Sequence, residues 1–130
     1  MRVLALDYGS ARCGCALSDP TGTIVTPIAV VARPASRRGL AELARLVDEH
    51  DVERVVVGLP LSLRSEDTQQ TGETRDFAAR LSSRLGERIP VELYDERFTT
   101  RIAARVEEPT TSEDSRAAAV LLEDWLVRSQ

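Results

Sequence analysis

No apolar run in this chain approaches the roughly 20 residues that cross a bilayer, so a transmembrane helix is excluded. Cysteine and histidine are scarce: Cys13, Cys15 and His50 are all there is. A C-x-C pair with one distant imidazole falls short of the four N or S ligands, or three plus water, that zinc takes. The pair reads as reduced and structural, which fits the cytoplasm. His50 closes an expected helix, where a cationic imidazole meets the dipole favourably. Excess positive charge is missing too. The net charge of −4 argues against a strongly basic nucleic-acid binder. It does not exclude one, because acids gathered at a metal site count against the total while bound cations do not. No repeat, low-complexity tract or linker interrupts the 130 residues, so a single domain over 1–130 is expected, burying roughly two-thirds of its unfolded surface. A secretory leader is not expected, since Asp7 breaks the apolar start.

What is present begins at once. Val3-Leu4-Ala5-Leu6 runs without polar alternation into Asp7-Tyr8-Gly9, the pattern of a strand covered on both faces. Asp7 therefore stands where a central strand leaves the core, the usual place for chemistry in an α/β sheet. Gly9 and Gly14 allow a tight turn and close approach of a ligand. Arg12 adds a fixed positive charge suited to a phosphate oxygen. A plain strand–turn hairpin with an Asp at its turn explains the same stretch equally well.

A second strand is expected over Gly14–Asp19. Ile24-Val25 with Ile28–Val31 makes a third, and Pro27 marks it as an edge or bulge. Ser36 caps a helix whose stripe is Leu40, Leu43, Ala44 and Val47. Val55–Pro60 is another doubly buried strand, and Leu61 to Gln70 reads as a loop. Thr71 caps the next helix, lined by Phe77, Ala78, Leu81 and Leu85 and stopped by Gly86. Val91–Tyr94 is a fifth strand running into Asp95-Glu96-Arg97. Thr99 or Thr100 starts a short helix that Pro109 breaks. A last helix runs from near Ser112 to Val127. The order β-β-β-α-β-α-β-α-α implies a mixed five-stranded sheet, an antiparallel meander followed by βα units, with helices on both faces.

Asp114 precedes Ala118, Leu121 and Trp125 by four, seven and eleven residues, so it continues a buried stripe. Pairing with the helix dipole would equally account for an acid in a first turn. Asp7, Asp95-Glu96 and Asp114 thus lie at ends of elements that could meet. Carboxylates converging there repel one another unless cations intervene. Oxygen-only ligands select Mg²⁺ or Mn²⁺. Two such ions on three carboxylates form a site for attack of water on a phosphodiester. Asp95 and Glu96 point to opposite faces of a strand, and periodicity leaves the choice between them open.

Leu6-Asp7-Tyr8-Gly9-x-x-Arg12-x-Gly14, Val57-Gly58-Leu59-Pro60-Leu61, Phe77-Ala78-x-x-Leu81, Asp95-Glu96-Arg97-Phe98-Thr99-Thr100 and Asp114-x-x-Ala117-Ala118 together resemble the YqgF/RuvX-like family. The resemblance spans almost the whole chain in order. It implies a ribonuclease-H-like fold shared with Holliday-junction resolvases. It also implies a metal-dependent nuclease that matures the 5′ end of pre-16S ribosomal RNA. Carried over, Asp7, Glu96 and Asp114 are the catalytic acids and metal ligands, with Arg12 and Arg97 as phosphate contacts. Glu96 is preferred to Asp95 on this ground. Partners implied are pre-ribosomal RNA, branched DNA as the runner-up, and the pre-ribosomal particle. The chain is expected as a monomer or weak homodimer.

Two departures from the family stand out. Ser65 occupies a position near which a glycine is usual. The Lys/Arg-rich loop common before the final acid is replaced by Glu107-Glu108-Pro109-Thr110-Thr111-Ser112-Glu113. That leaves Arg12, Arg64, Arg97 and Arg101 as the cations expected near the site. A non-catalytic module in ribosome assembly would suit the acidic replacement. A phosphotransferase of the sugar-kinase/actin type shares strand–Asp–x–Gly, but needs two such domains around one nucleotide.

Overall fold

The computed structural model describes residues 1–59, 69–95 and 113–128. In chain order the elements are β1 (Val3–Tyr8), β2 (Arg12–Ser18), β3 (Val25–Ala32), α1 (Arg37–Glu49), β4 (Arg54–Leu59), α2 (Gln69–Leu85), β5 (Val91–Asp95) and α3 (Glu113–Arg128). The strands form one five-stranded sheet in the order β3-β2-β1-β4-β5. The meander β1–β2–β3 is antiparallel, whereas β4 and β5 add parallel to β1. This is the expected mixed sheet.

Alternation along the strands sorts the core into two halves. Leu4, Leu6 and Tyr8 join Cys13, Cys15, Val55 and Val57 beneath α1 and α2, where Leu43, Phe77 and Leu81 close the layer. Val3, Ala5, Ala16 and Val56 face the other way and meet Ala118, Leu121, Leu122 and Trp125 of α3. Both faces of β1 are therefore dry, which is why its opening run is apolar without alternation. Truncating a wholly buried leucine such as Leu43 or Leu81 would cost about 2–5 kcal/mol. Cys13 and Cys15 are free thiols, two apart and both inside the first cluster.

Local expectations hold with a few shifts. Ser36 caps α1, its hydroxyl accepting from the Gly39 N–H at 3.0 Å. Leu46 is buried while Ala44 is only half-buried. Strand β2 begins at Arg12, two residues before Gly14, because Cys13 pairs with Tyr8. Pro27 lies in the outermost strand and next to a bulge: Cys15 and Ala16 are consecutive, yet their partners are Ala29 and Pro27, leaving Ile28 as the extra residue. Gly86 takes a positive φ of 82° where α2 stops.

Thr71 is a correction. It is not a cap but the third residue of α2, wholly buried beside Thr74. The helix starts at Gln69, so Gln69 and Gln70 belong to it and not to the preceding loop. A threonine is tolerated inside because its hydroxyl can use the carbonyl one turn back, as the Thr74 hydroxyl does with Gln70 at 2.8 Å. The loop from Leu61, Ser65 within it, the helix expected after Thr99 and the Pro109 break lie outside the described residues. Among the described residues, no helix is long and apolar enough to cross a membrane.

Candidate functional site

Asp7 is the penultimate residue of β1 and is half-buried. Its parity with Val3 and Ala5 places it on the α3 face. Directly opposite on β2 is Gly14. On β4, one step beyond the Leu6–Val57 pair, comes Gly58, which shares the face of Val56 and pairs in turn with Tyr94 of β5. The row Gly14–Asp7–Gly58–Tyr94 therefore crosses the sheet with only backbone on either side of the carboxylate. A side chain at Gly14 or Gly58 would stand against it. The sequence assigned Gly58 merely to the end of a strand; its place beside Asp7 needed the register.

The turn after β1 is equally constrained. A Cβ at Gly9 would lie 2.8 Å from the Arg12 carbonyl oxygen, so this close approach requires glycine. Tyr8, on the far face, stacks on Phe77 with ring centroids 4.4 Å apart and anchors the strand end from below. Burial, and then the Glu73 carboxylate, push its phenol pKa up. Arg12, exposed at the start of β2, alternates with Gly14 and Ala16 onto the face of Asp7. It stands one row beyond Asp7's partner.

The remaining expected residues are placed in part. Asp114 lies in the first turn of α3, and Ala118, Leu121 and Trp125, which follow it at helical spacing, are all buried against the sheet. Asp95 ends β5 opposite Leu59. The side chains of Asp95 and Asp114, and the whole of Glu96 and Arg97, lie outside the described residues, as do Arg64 and Arg101. Among the described residues no three His, Cys, Asp or Glu side chains gather around one point.

Polar residues that tie β5 to α3 were not anticipated. The Trp125 Nε1–H donates to Glu92 Oε2 at 3.0 Å, and Arg54 pairs with Glu92 Oε1 at 2.7 Å. The Tyr94 hydroxyl donates to the buried Asp124 carboxylate, which Arg128 meets at 3.0 Å. Burial, reinforced by that acceptor, raises the Tyr94 pKa to about 12. Glu92 and Tyr94 both face α3. Asp124 sits among apolar helix residues, and only its pairing one turn before Arg128 hints at its role.

A family model described as RuvX, Holliday junction resolvase, matches residues 1–128. The chain belongs to this family. Among RuvX relatives, a protein of Maridesulfovibrio salexigens named "Putative pre-16S rRNA nuclease" is 38% identical over 99% of this chain and 100% of its own length. One of the same name from Mycobacteroides abscessus is 42% identical over 96% of this chain and 80% of its own. This chain also shares its fold with RuvC of T. thermophilus, solved in complex with a Holliday junction substrate. The TM-score is 0.68 at 16% identity, over 99% of this chain and 96% of that one. The fowlpox virus Holliday junction resolvase superposes with a TM-score of 0.58 at 11% identity, over the whole of both chains. The expected ribonuclease-H-like fold is thereby established.

Proposed function

We propose that this chain is a metal-dependent endonuclease that hydrolyses phosphodiester bonds in structured nucleic acid, with 5′-end maturation of pre-16S ribosomal RNA as its task. One observation carries the reading: Asp7 ends a central strand on the α3 face, flanked by Gly14 and Gly58, on the side where α3 carries Asp114. A half-buried carboxylate with a glycine on each neighbouring strand leaves room beside it for a ligand. The 130 residues act as one domain. Glu96 completes the set in preference to Asp95, on the match of Asp95-Glu96-Arg97-Phe98-Thr99-Thr100 to the family pattern.

The donors fit hard divalent ions, since all three are carboxylate oxygens and Asp7 is accessible. Asp7, Glu96 and Asp114 would hold Mg²⁺ or Mn²⁺. Bound there, two ions would neutralise the acids and lower the pKa of attacking water. The chain's own residues hold the substrate in place. Arg12 and Arg97 contact phosphate oxygens and fix the register of the scissile bond. The Tyr94–Asp124 bond keeps the end of β5 against α3, and with it the spacing between the acids those elements carry. A pre-ribosomal substrate would place the protein in the cytoplasm, working as a monomer or weak homodimer on the pre-ribosomal particle.

Branched DNA is the second reading, favoured by the family description. Both are decided by incubating the protein with Mn²⁺ on 5′-extended ribosomal RNA and, in parallel, on a four-way DNA junction. Cleavage of the RNA alone supports maturation, and cleavage of the junction alone supports resolution. Absence of cleavage on both would overturn the nuclease reading in favour of a binding module.

A further inference from the structure

All 17 basic side chains of this protein are arginine, and their distribution is uneven. No carboxylate occurs between Asp19 and Glu42, while Arg33, Arg37 and Arg38 fall inside that stretch. The fold carries this segment to the end of the sheet where Asp7 lies. Strand β1 ends there, β2 begins there with Arg12 opposite Ala32, and β3 ends there. The Arg33 N–H donates to the Ala11 carbonyl at 3.0 Å, joining it to the turn that follows Asp7. The Ser36 N–H and hydroxyl donate back to the Arg33 carbonyl at 3.0 and 2.7 Å. Arg33, Arg37 and Arg38 are thus held by backbone and cap bonds at the Asp7 end of the sheet, Arg37 and Arg38 on the rim of the face that α1 covers.

All three are exposed, and none enters an ion pair among the described residues. Arg37 and Arg38 also occupy the first turn of α1, which contains no acid. Cations are unfavourable at that end of a helix, so local stability does not explain them. The nearest acids on α2, Glu73 and Asp76, flank Tyr8, and Asp76 is already engaged by Arg80. Positive charge at this edge is therefore left facing solvent.

We propose that Arg33, Arg37 and Arg38 form a surface that tracks the phosphodiester backbone of a nucleic-acid duplex flanking the cut. It would replace the grip of the basic loop that this chain lacks. Asp7 lies level with Val30, two strand spacings away, and Arg33 is three residues further along. The backbone separation is roughly 14 Å, so these arginines reach neighbouring phosphates and not the scissile one. The inference rests on the nuclease reading for its substrate class, though binding can be measured without cleavage.

The test is binding of a short RNA duplex and of a four-way DNA junction by Asp7→Asn protein over a range of salt. A second protein adds Arg33→Gln, Arg37→Gln and Arg38→Gln. Three lost phosphate contacts should flatten the log–log salt slope by about 2–3 and weaken binding roughly a hundredfold at physiological salt. In the active background KM should rise with kcat kept. Lysine at the same three positions should retain the slope. Arg84→Gln with Arg88→Gln, exposed at the opposite end of the sheet, should leave it unchanged. An unchanged slope in the glutamine variant, with wild-type cleavage intact, overturns the surface alone. A lysine variant as weak as the glutamine one overturns it too, by showing a structural effect. If the wild type cleaves neither probe but the slope flattens as expected, the surface stands and the nuclease reading falls. A change on one probe only identifies RNA or DNA as the backbone this edge was built for.

Discussion

Asp7 is accessible because of its neighbours. Gly14 and Gly58 bring no side chain to its flanks, and asparagine keeps the size and shape of the aspartate side chain. Asp7→Asn should therefore abolish cleavage while leaving helix content and melting temperature unchanged or raised, since like-charge repulsion is relieved. Circular dichroism and a cleavage assay on the same preparation check this. Unfolding of the variant, or persistent cleavage, would sink the assignment. The carboxylate itself was legible from sequence because an apolar run stops on it. Gly58 and Asp124 were not, since a strand glycine and a helical acid acquire meaning only through register and packing partners. Arg33, Arg37 and Arg38 were passed over for another reason: net charge sums over the chain, whereas a phosphate senses only charge within about a Debye length.

At the scale of elements, the clearest signals were those with a period and a stop. The stripe of α3, the cap at Ser36 and the stop at Gly86 were all readable, because each depends on a local backbone rule. The start of α2 was misjudged because threonine suits both a cap and a buried helical position. Gly39 gave no signal either. A Cβ there would lie 2.2 Å from the Arg33 carbonyl oxygen and 2.7 Å from Pro34 Cα, both backbone atoms. Gly39→Ala should then destabilise the fold by about 1–3 kcal/mol despite its better helix propensity, measured by urea unfolding; a stabilised variant would contradict the packing. The β2–β3 turn supplies the pH test. Asp19 accepts from the Thr21 hydroxyl and from the N–H groups of Thr23 and Ile24. The Thr21 hydroxyl, foremost, holds its carboxyl down at about 2 against an ordinary 3.8. A depressed folded pKa means stability that is present above 3.8 and lost as pH falls through about 2. Wild-type melting temperature should fall over that window more steeply than that of Asp19→Asn, and equal slopes would refute the role of the turn.

For the whole molecule, metal and folding should be linked. Ions held by the proposed acids Asp7, Glu96 and Asp114 would bind a site that exists only in the folded chain. A hundredfold excess over Kd then adds about 2.7 kcal/mol. Millimolar Mg²⁺ or Mn²⁺ should raise the melting temperature of the wild type and much less that of Asp114→Asn. An equal rise would make Asp114 a helix-terminal charge and nothing more. The architecture as a whole was legible because meander, βα units and doubly apolar strands leave few ways to cover both faces of one sheet.

The outermost strand has a consequence of its own. Along β3, Pro27 withholds an N–H and the extra residue Ile28 bends the ladder, while Ile24 and Val30 remain exposed nearby. A flat strand with those apolar residues would invite a second chain to continue the sheet. Interrupted as it is, β3 offers a poor template, so oligomers grown by sheet extension are disfavoured on this side.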